Sequence, residues 1–150
     1  MSRIPLERDL TSTFGLLMEA YTSLERQVGA DLAARVGLPH SWFEVLLRIS
    51  RSEGGLASMS ALADQVALTG GGATRLVDRM SRDGLVERVP CSTDRRVVYV
   101  RLTEQGRALL EKAAVVHEDN LRRLLHDFTG DEIEGLEAVC RRLRQARLAG

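Results

Sequence analysis

Residues 69–82 read Thr69-Gly70-Gly71-Gly72-Ala73-Thr74-Arg75-Leu76-Val77-Asp78-Arg79-Met80-Ser81-Arg82, three glycines followed by arginines spaced four and three apart. Glycine is costly inside a helix but lets backbone amides approach another molecule closely, and arginines at this spacing share one helix face. The chemistry such a pattern offers is anion binding, and its natural target is phosphate. A nucleotide loop is excluded. Its signature needs lysine and then Ser or Thr directly after the glycines, whereas here Ala73-Thr74-Arg75 follows and the single lysine is Lys112. A dinucleotide fold is excluded as well, because it requires strand-helix-strand alternation that this helical chain lacks. A second cationic cluster, Asp94-Arg95-Arg96, lies downstream. Between Thr69 and Arg101 there are seven arginines against four acids, while the whole chain has a formal net charge of zero. A locally basic segment offset by acidic helices still binds phosphate, since the local field decides.

The elements that must position these residues follow from periodicity. Leu10, Phe14, Leu17, Tyr21, Leu24 and Val28 recur at three- and four-residue intervals, which predicts an amphipathic helix over residues 6–36, ended by Gly37 and Pro39. Ser41 and Glu44 have capping-box spacing for a second helix, apolar over most of its circumference and therefore central. A short helix spans residues 60–66. The helix in question runs from a Thr69 cap to Asp83, with Gly84 stopping it and the amides of Gly70, Gly71 and Gly72 forming its positive end. Ala73, Leu76, Val77 and Met80 are assigned to its core face. Residues 85–89 and 97–102 are β-branched and read as a hairpin with a basic tip at residues 90–96. Thr103 caps a helix expected to reach Phe128, roughly 40 Å long. Thr129 and Glu132 form a further capping box before a last helix with Ile133, Leu136, Val139, Cys140 and Leu143 on one stripe. The expected class is mainly α with a small β-hairpin, a winged helix-turn-helix flanked by long terminal helices, in which the second helix of the pair enters the DNA major groove.

Other chemistries are weaker. His117 and His126 are nine residues apart on one helix and do not share a face, so no metal site is expected, nor any cofactor. Cys91 and Cys140 are not spaced as a CxxC pair. Cys91 opens the hairpin tip, where it reads as a small turn residue ahead of a redox switch, and Cys140 reads as core or dimer packing. No Ser/His/Asp, Cys/His or carboxylate pair assembles into an enzyme site. With no apolar run of about 18 residues and no signal-peptide core at residues 1–5, a cytoplasmic protein without membrane contact is expected. The alternative use of such a fold, holding another protein, has less need for arginines converging on one side.

Thr74-Arg75-Leu76-Val77-Asp78-Arg79-Met80, then Asp83-Gly84-Leu85-Val86-Glu87-Arg88, then Asp94-Arg95-Arg96 and Leu102-Thr103-Glu104-Gln105-Gly106 together resemble the MarR family of bacterial transcription regulators, over nearly the whole chain. The resemblance implies one subunit over residues 1–150, with dimerisation helices at 1–36 and 104–150 and a winged helix-turn-helix at 37–103. It implies a homodimer on a pseudo-palindromic double-stranded DNA operator, most simply as a repressor. Carried over residue by residue, it places Thr69, Gly70, Gly71, Gly72, Thr74, Arg75 and Arg79 at the major groove and its phosphates. Ser58 or Ser60 falls on the backbone and Arg95 or Arg96 in the minor groove. Asp94 would hold the tip by pairing with Arg96 or with a recognition-helix arginine. Where relatives carry polar side chains this sequence has glycines, so base readout should be thin and DNA shape should matter more. The family also implies release by a small aromatic or phenolic effector, for which Phe14, Met18, Tyr21, His40, Trp42 and His117 are the candidate lining residues.

Overall fold

The computed structural model describes residues 9–66 and 72–147. In chain order it forms α1 (Leu10–Val36), α2 (His40–Arg51), a 3-10 turn (Glu53–Gly55), β1 (Ala57–Ser58), α3 (Met59–Val66), α4 (Ala73–Arg82), β2 (Val86–Pro90), β3 (Val98–Leu102), α5 (Glu104–Leu124) and α6 (Gly130–Gln145). The class is as expected, mostly helical with a small antiparallel sheet. That sheet has three strands in the order β1-β3-β2 rather than two. β1 is only two residues long, with Ala57 opposite Val100 and Ser58 opposite Tyr99, too short to leave an alternating pattern in the sequence.

The core forms where α2 crosses the other elements. Phe43, Val45, Leu46 and Ile49 of α2 are buried together with Leu32 of α1, Leu62 of α3, Met80 of α4, Val100 of β3 and Ala113 of α5. Each large side chain here contributes about 1.5–3 kcal/mol through removal from water. α2 is thus central, as its apolar circumference predicts. Its start differs from expectation: Pro39 occupies the cap position, the Pro39 carbonyl accepts from the amides of Trp42 and Phe43, and no side chain caps the helix. The Ser41–Glu44 capping box does not form because the helix already starts at His40 and Ser41 lies inside it; Glu44 pairs instead with Arg48 (3.2 Å) and His40 (3.7 Å).

α5 is also shorter than predicted, ending at Leu124 and spanning about 31 Å. The His126 ring nitrogen lies 3.0 Å from the Arg123 carbonyl, so the side chain meets an oxygen at the helix end. Thr129 then takes an extended conformation as the cap of α6. There the expected reciprocal box is present: the Thr129 amide donates to Glu132 Oε2 (2.8 Å), and Thr129 Oγ1 accepts from the Glu132 amide (3.3 Å).

Candidate nucleic-acid interface

α4 buries Ala73, Leu76, Val77 and Met80, the face assigned from sequence, and leaves Thr74, Arg75, Arg79 and Arg82 exposed. It begins later than expected. Gly72 is the cap, with extended backbone and no side-chain bond, and the first helical hydrogen bond runs from the Leu76 amide to the Gly72 carbonyl. The unpaired amides of the helix start therefore belong to Gly72, Ala73, Thr74 and Arg75, a set shifted toward the arginine from the expected run of glycines. Thr69, Gly70 and Gly71 lie outside the described residues. A Cβ built on Gly72 meets nothing within 4 Å among the described residues.

Both flanks of α4 are tied to neighbours. On one, Asp78 pairs with Arg88 of β2 at 2.8 Å. On the other, the Arg79 guanidinium stands over the Trp42 ring of α2, 5.9 Å from its centroid. Neither contact is readable from the sequence, whose spacing groups Arg79 with Arg75 and Arg82 as one stripe. Tertiary neighbours divide that stripe. Arg75, Arg82 and Arg95 have no ion-pair partner among the described residues.

The wing tip resolves the alternatives for Asp94. Its Oδ1 accepts from the Arg96 amide (3.0 Å) and from Arg96 Nε (3.2 Å), so the aspartate pairs within the tip and not with α4. The Arg96 backbone amide and then its side chain hold the Asp94 carboxyl below the usual carboxylate range. Arg96 remains 90% exposed despite this pairing, and Arg95 is exposed beside it. The Thr93 hydroxyl, then the Thr93 and Asp94 amides, lower the pKa of the Cys91 thiol. Behind the tip, Glu87 and Arg101 face each other across the hairpin at 2.6 Å.

Ser58 and Ser60 take different roles. Ser58 Oγ accepts from the Ala61 amide (3.1 Å), which makes it the cap of α3, while Ser60 is exposed beside it with the two hydroxyls 3.2 Å apart.

The structure divides the six candidate effector residues. Phe14, Met18 and Tyr21 lie exposed on α1. Desolvation, then the Glu25 and Glu44 carboxylates, raises the Tyr21 phenol pKa, and Glu25 of the same helix lies 3.8 Å from His40 at the start of α2. There His40 and His117 stack at 6.1 Å, and Phe43 lies 4.7 Å from His117. Burial, then the charge of His40, pushes the His117 pKa down. Trp42 instead lines a separate cleft of about 420 Å³ with Leu38, Leu85 and Leu109. Cys140, assigned to packing, is exposed on α6 in the single chain.

Comparison with known proteins places this geometry. A sequence model of the MarR family matches residues 36–97, the segment from the end of α1 to the wing. The HTH-type transcriptional regulator PapX of Escherichia coli is 27% identical over 131 residues, which cover 85% of this chain and 80% of PapX. An uncharacterised HTH-type transcriptional regulator of Bacillus anthracis is 32% identical over 107 residues, covering 71% of this chain and 69% of the relative. Among solved structures, a mutant MarR from Escherichia coli complexed with operator DNA superposes with a TM-score of 0.77 at 26% identity, covering 93% of this chain and 99% of that one.

Proposed function

We propose that this chain, which belongs to the MarR family of transcriptional regulators, binds duplex DNA with α4 in the major groove and the wing tip in the minor groove. The observation that carries this reading is the distribution of cations. Arg75 and Arg82 on the solvent side of α4, and Arg95 and Arg96 on the wing, are all exposed, and the uncapped start of α4 offers backbone donors beside Arg75. Phosphate contacts by such groups, Arg75 among them, fix orientation, and Thr74 beside it is the described side chain suited to base edges. Ser60 is placed to reach the backbone, with Ser58 holding the start of α3. Support comes from the MarR structure complexed with operator DNA.

In this reading the regulator is a homodimer on a pseudo-palindromic operator and acts as a repressor. The apolar residues left uncovered on the terminal helices support the dimer: Leu10, Phe14 and Leu17 on α1 and Leu136, Val139 and Leu143 on α6 are all at least 41% exposed. Exposed apolar area on this scale marks an interaction surface. An aromatic or phenolic effector would act at the junction of α1, α2 and α5, where His40 and His117 stack, with Tyr21 exposed on α1 and Trp42 in a separate cleft. Binding to the DNA upstream of its own gene, measured by gel shift at several salt concentrations, tests the reading; failure to bind at low salt would refute it.

A further inference from the structure

The geometry points to Trp42 as a positioning residue for the recognition helix: its indole holds the Arg79 guanidinium and keeps that cation out of the line of Arg75 and Arg82. The inference rests on the duplex-binding reading above. At 5.9 Å from the ring centroid, the guanidinium is within the range where a cation is attracted to the face of an indole. Helical spacing explains why Arg79 is the one taken. Arg75 and Arg82 project opposite the buried face of Leu76, Val77 and Met80, whereas Arg79 falls on the flank beside Leu76. Asp78 is tied to Arg88 of β2, so one tether runs from α4 to the wing and another to α2. Together they set the roll of α4 about its axis.

The indole is itself fixed. Trp42 lies in the first turn of α2, is half-buried, and lines the cleft that Leu38, Asp83, Leu85 and Leu109 share. Its Nε1 is buried with no hydrogen-bond partner among the described residues, so packing and the Arg79 contact hold the ring, not a hydrogen bond at its edge. A ring wedged between α2 and the end of α4 passes any displacement of α2 directly to a recognition-helix side chain.

The test measures affinity for a fluorescein-labelled duplex of arbitrary sequence as salt is varied. Arg79→Ala should keep the wild-type slope of log affinity against log salt. Trp42→Ala should steepen it by about 0.9, the increment for one additional phosphate contact, as Arg79 is released. Trp42→Phe, which retains an aromatic face, should keep the wild-type slope, and Trp42→Ala/Arg79→Ala should return to it. A slope shallower by about 0.9 in Arg79→Ala, or an unchanged slope in folded Trp42→Ala, would overturn the inference. Trp42 is the only tryptophan in the chain, so its emission reads the contact without DNA. Arg79→Ala should shift that emission in the free protein, and an unshifted spectrum also overturns the assignment, even if Trp42→Ala does not fold. Wild-type protein that binds no duplex removes the functional premise instead, with the emission comparison still reporting on the contact.

Discussion

Gly106 sits where a methyl group has no room: a Cβ built there falls 1.9 Å from the Leu85 carbonyl oxygen. Beside it, the Thr103 hydroxyl accepts from the Gly106 amide (3.0 Å) and donates to the Gly84 carbonyl, and the Thr103 amide donates to the Leu85 carbonyl (3.1 Å). The run Leu102-Thr103-Glu104-Gln105-Gly106 therefore has a physical purpose, which is to pin the start of α5 against the turn that leaves α4. Gly106→Ala is predicted to destabilise the fold by several kcal/mol, since backbone must shift to clear the clash. A thermal melt checks this, and a melting temperature within a degree or two of wild type would refute the packing. At the wing, protonation of Asp94 should loosen the tip. Its depressed carboxyl pKa means this contribution is intact above the ordinary carboxylate value of 3.8 and is lost as pH falls through the lower, folded value. An NMR titration of the Arg96 amide should show its midpoint below 3.8, and a midpoint at or above that value contradicts the pairing. Residue identity alone leaves the Asp94 partner open, because choosing Arg96 over an α4 arginine requires the tip conformation. The Arg79–Trp42 contact is illegible for a similar reason, joining residues far apart in sequence.

At the scale of elements, the sequence was most informative where apolar spacing ran through a whole helix. The buried face of α4 is the one its periodicity assigns, and the capping box of α6 forms as its Thr-x-x-Glu spacing suggests. Boundaries were less legible. Three glycines carry no side-chain periodicity, so nothing in their pattern marks Gly72 as the cap, and β1 is too short to alternate. The end of α5 is set by a histidine beside a backbone carbonyl and by the extended conformation that Thr129 needs. Thr129→Ala should cost about 1 kcal/mol by removing the cap of α6, measurable by chemical denaturation, and an unchanged midpoint would deny the box any role. The junction of α1, α2 and α5 should weaken in acid through His117. Its pKa is lowered in the fold, so the unfolded chain binds the proton more readily; the stabilisation is complete above the ordinary value of 6.5 and declines as pH falls below it. His117→Gln should therefore show a flatter dependence of melting temperature on pH than wild type below 6.5, and parallel profiles would contradict the burial of that ring.

At the scale of the molecule, most of the charge that matters lies on one region while the uncovered apolar area lies on the terminal helices. α6 makes this separation plain. Of its residues only Ile133 is half-buried, near Leu121 of α5 and Leu125 at its end, and the stripe of Leu136, Val139, Cys140 and Leu143 faces outward. The periodicity of that stripe was legible in the sequence, but no single chain could show what covers it. If a second copy does, Leu136→Glu together with Leu143→Glu should convert a dimer to a monomer in sedimentation, and an unaltered mass would exclude this face from the interface. The account turns most directly on whether Arg75 and Arg96 meet phosphate. Duplex affinity measured by fluorescence anisotropy over a range of salt should fall steeply with salt in the wild type, and Arg75→Ala and Arg96→Ala should each flatten that slope by about 0.9. Slopes identical to wild type in both folded variants would contradict it.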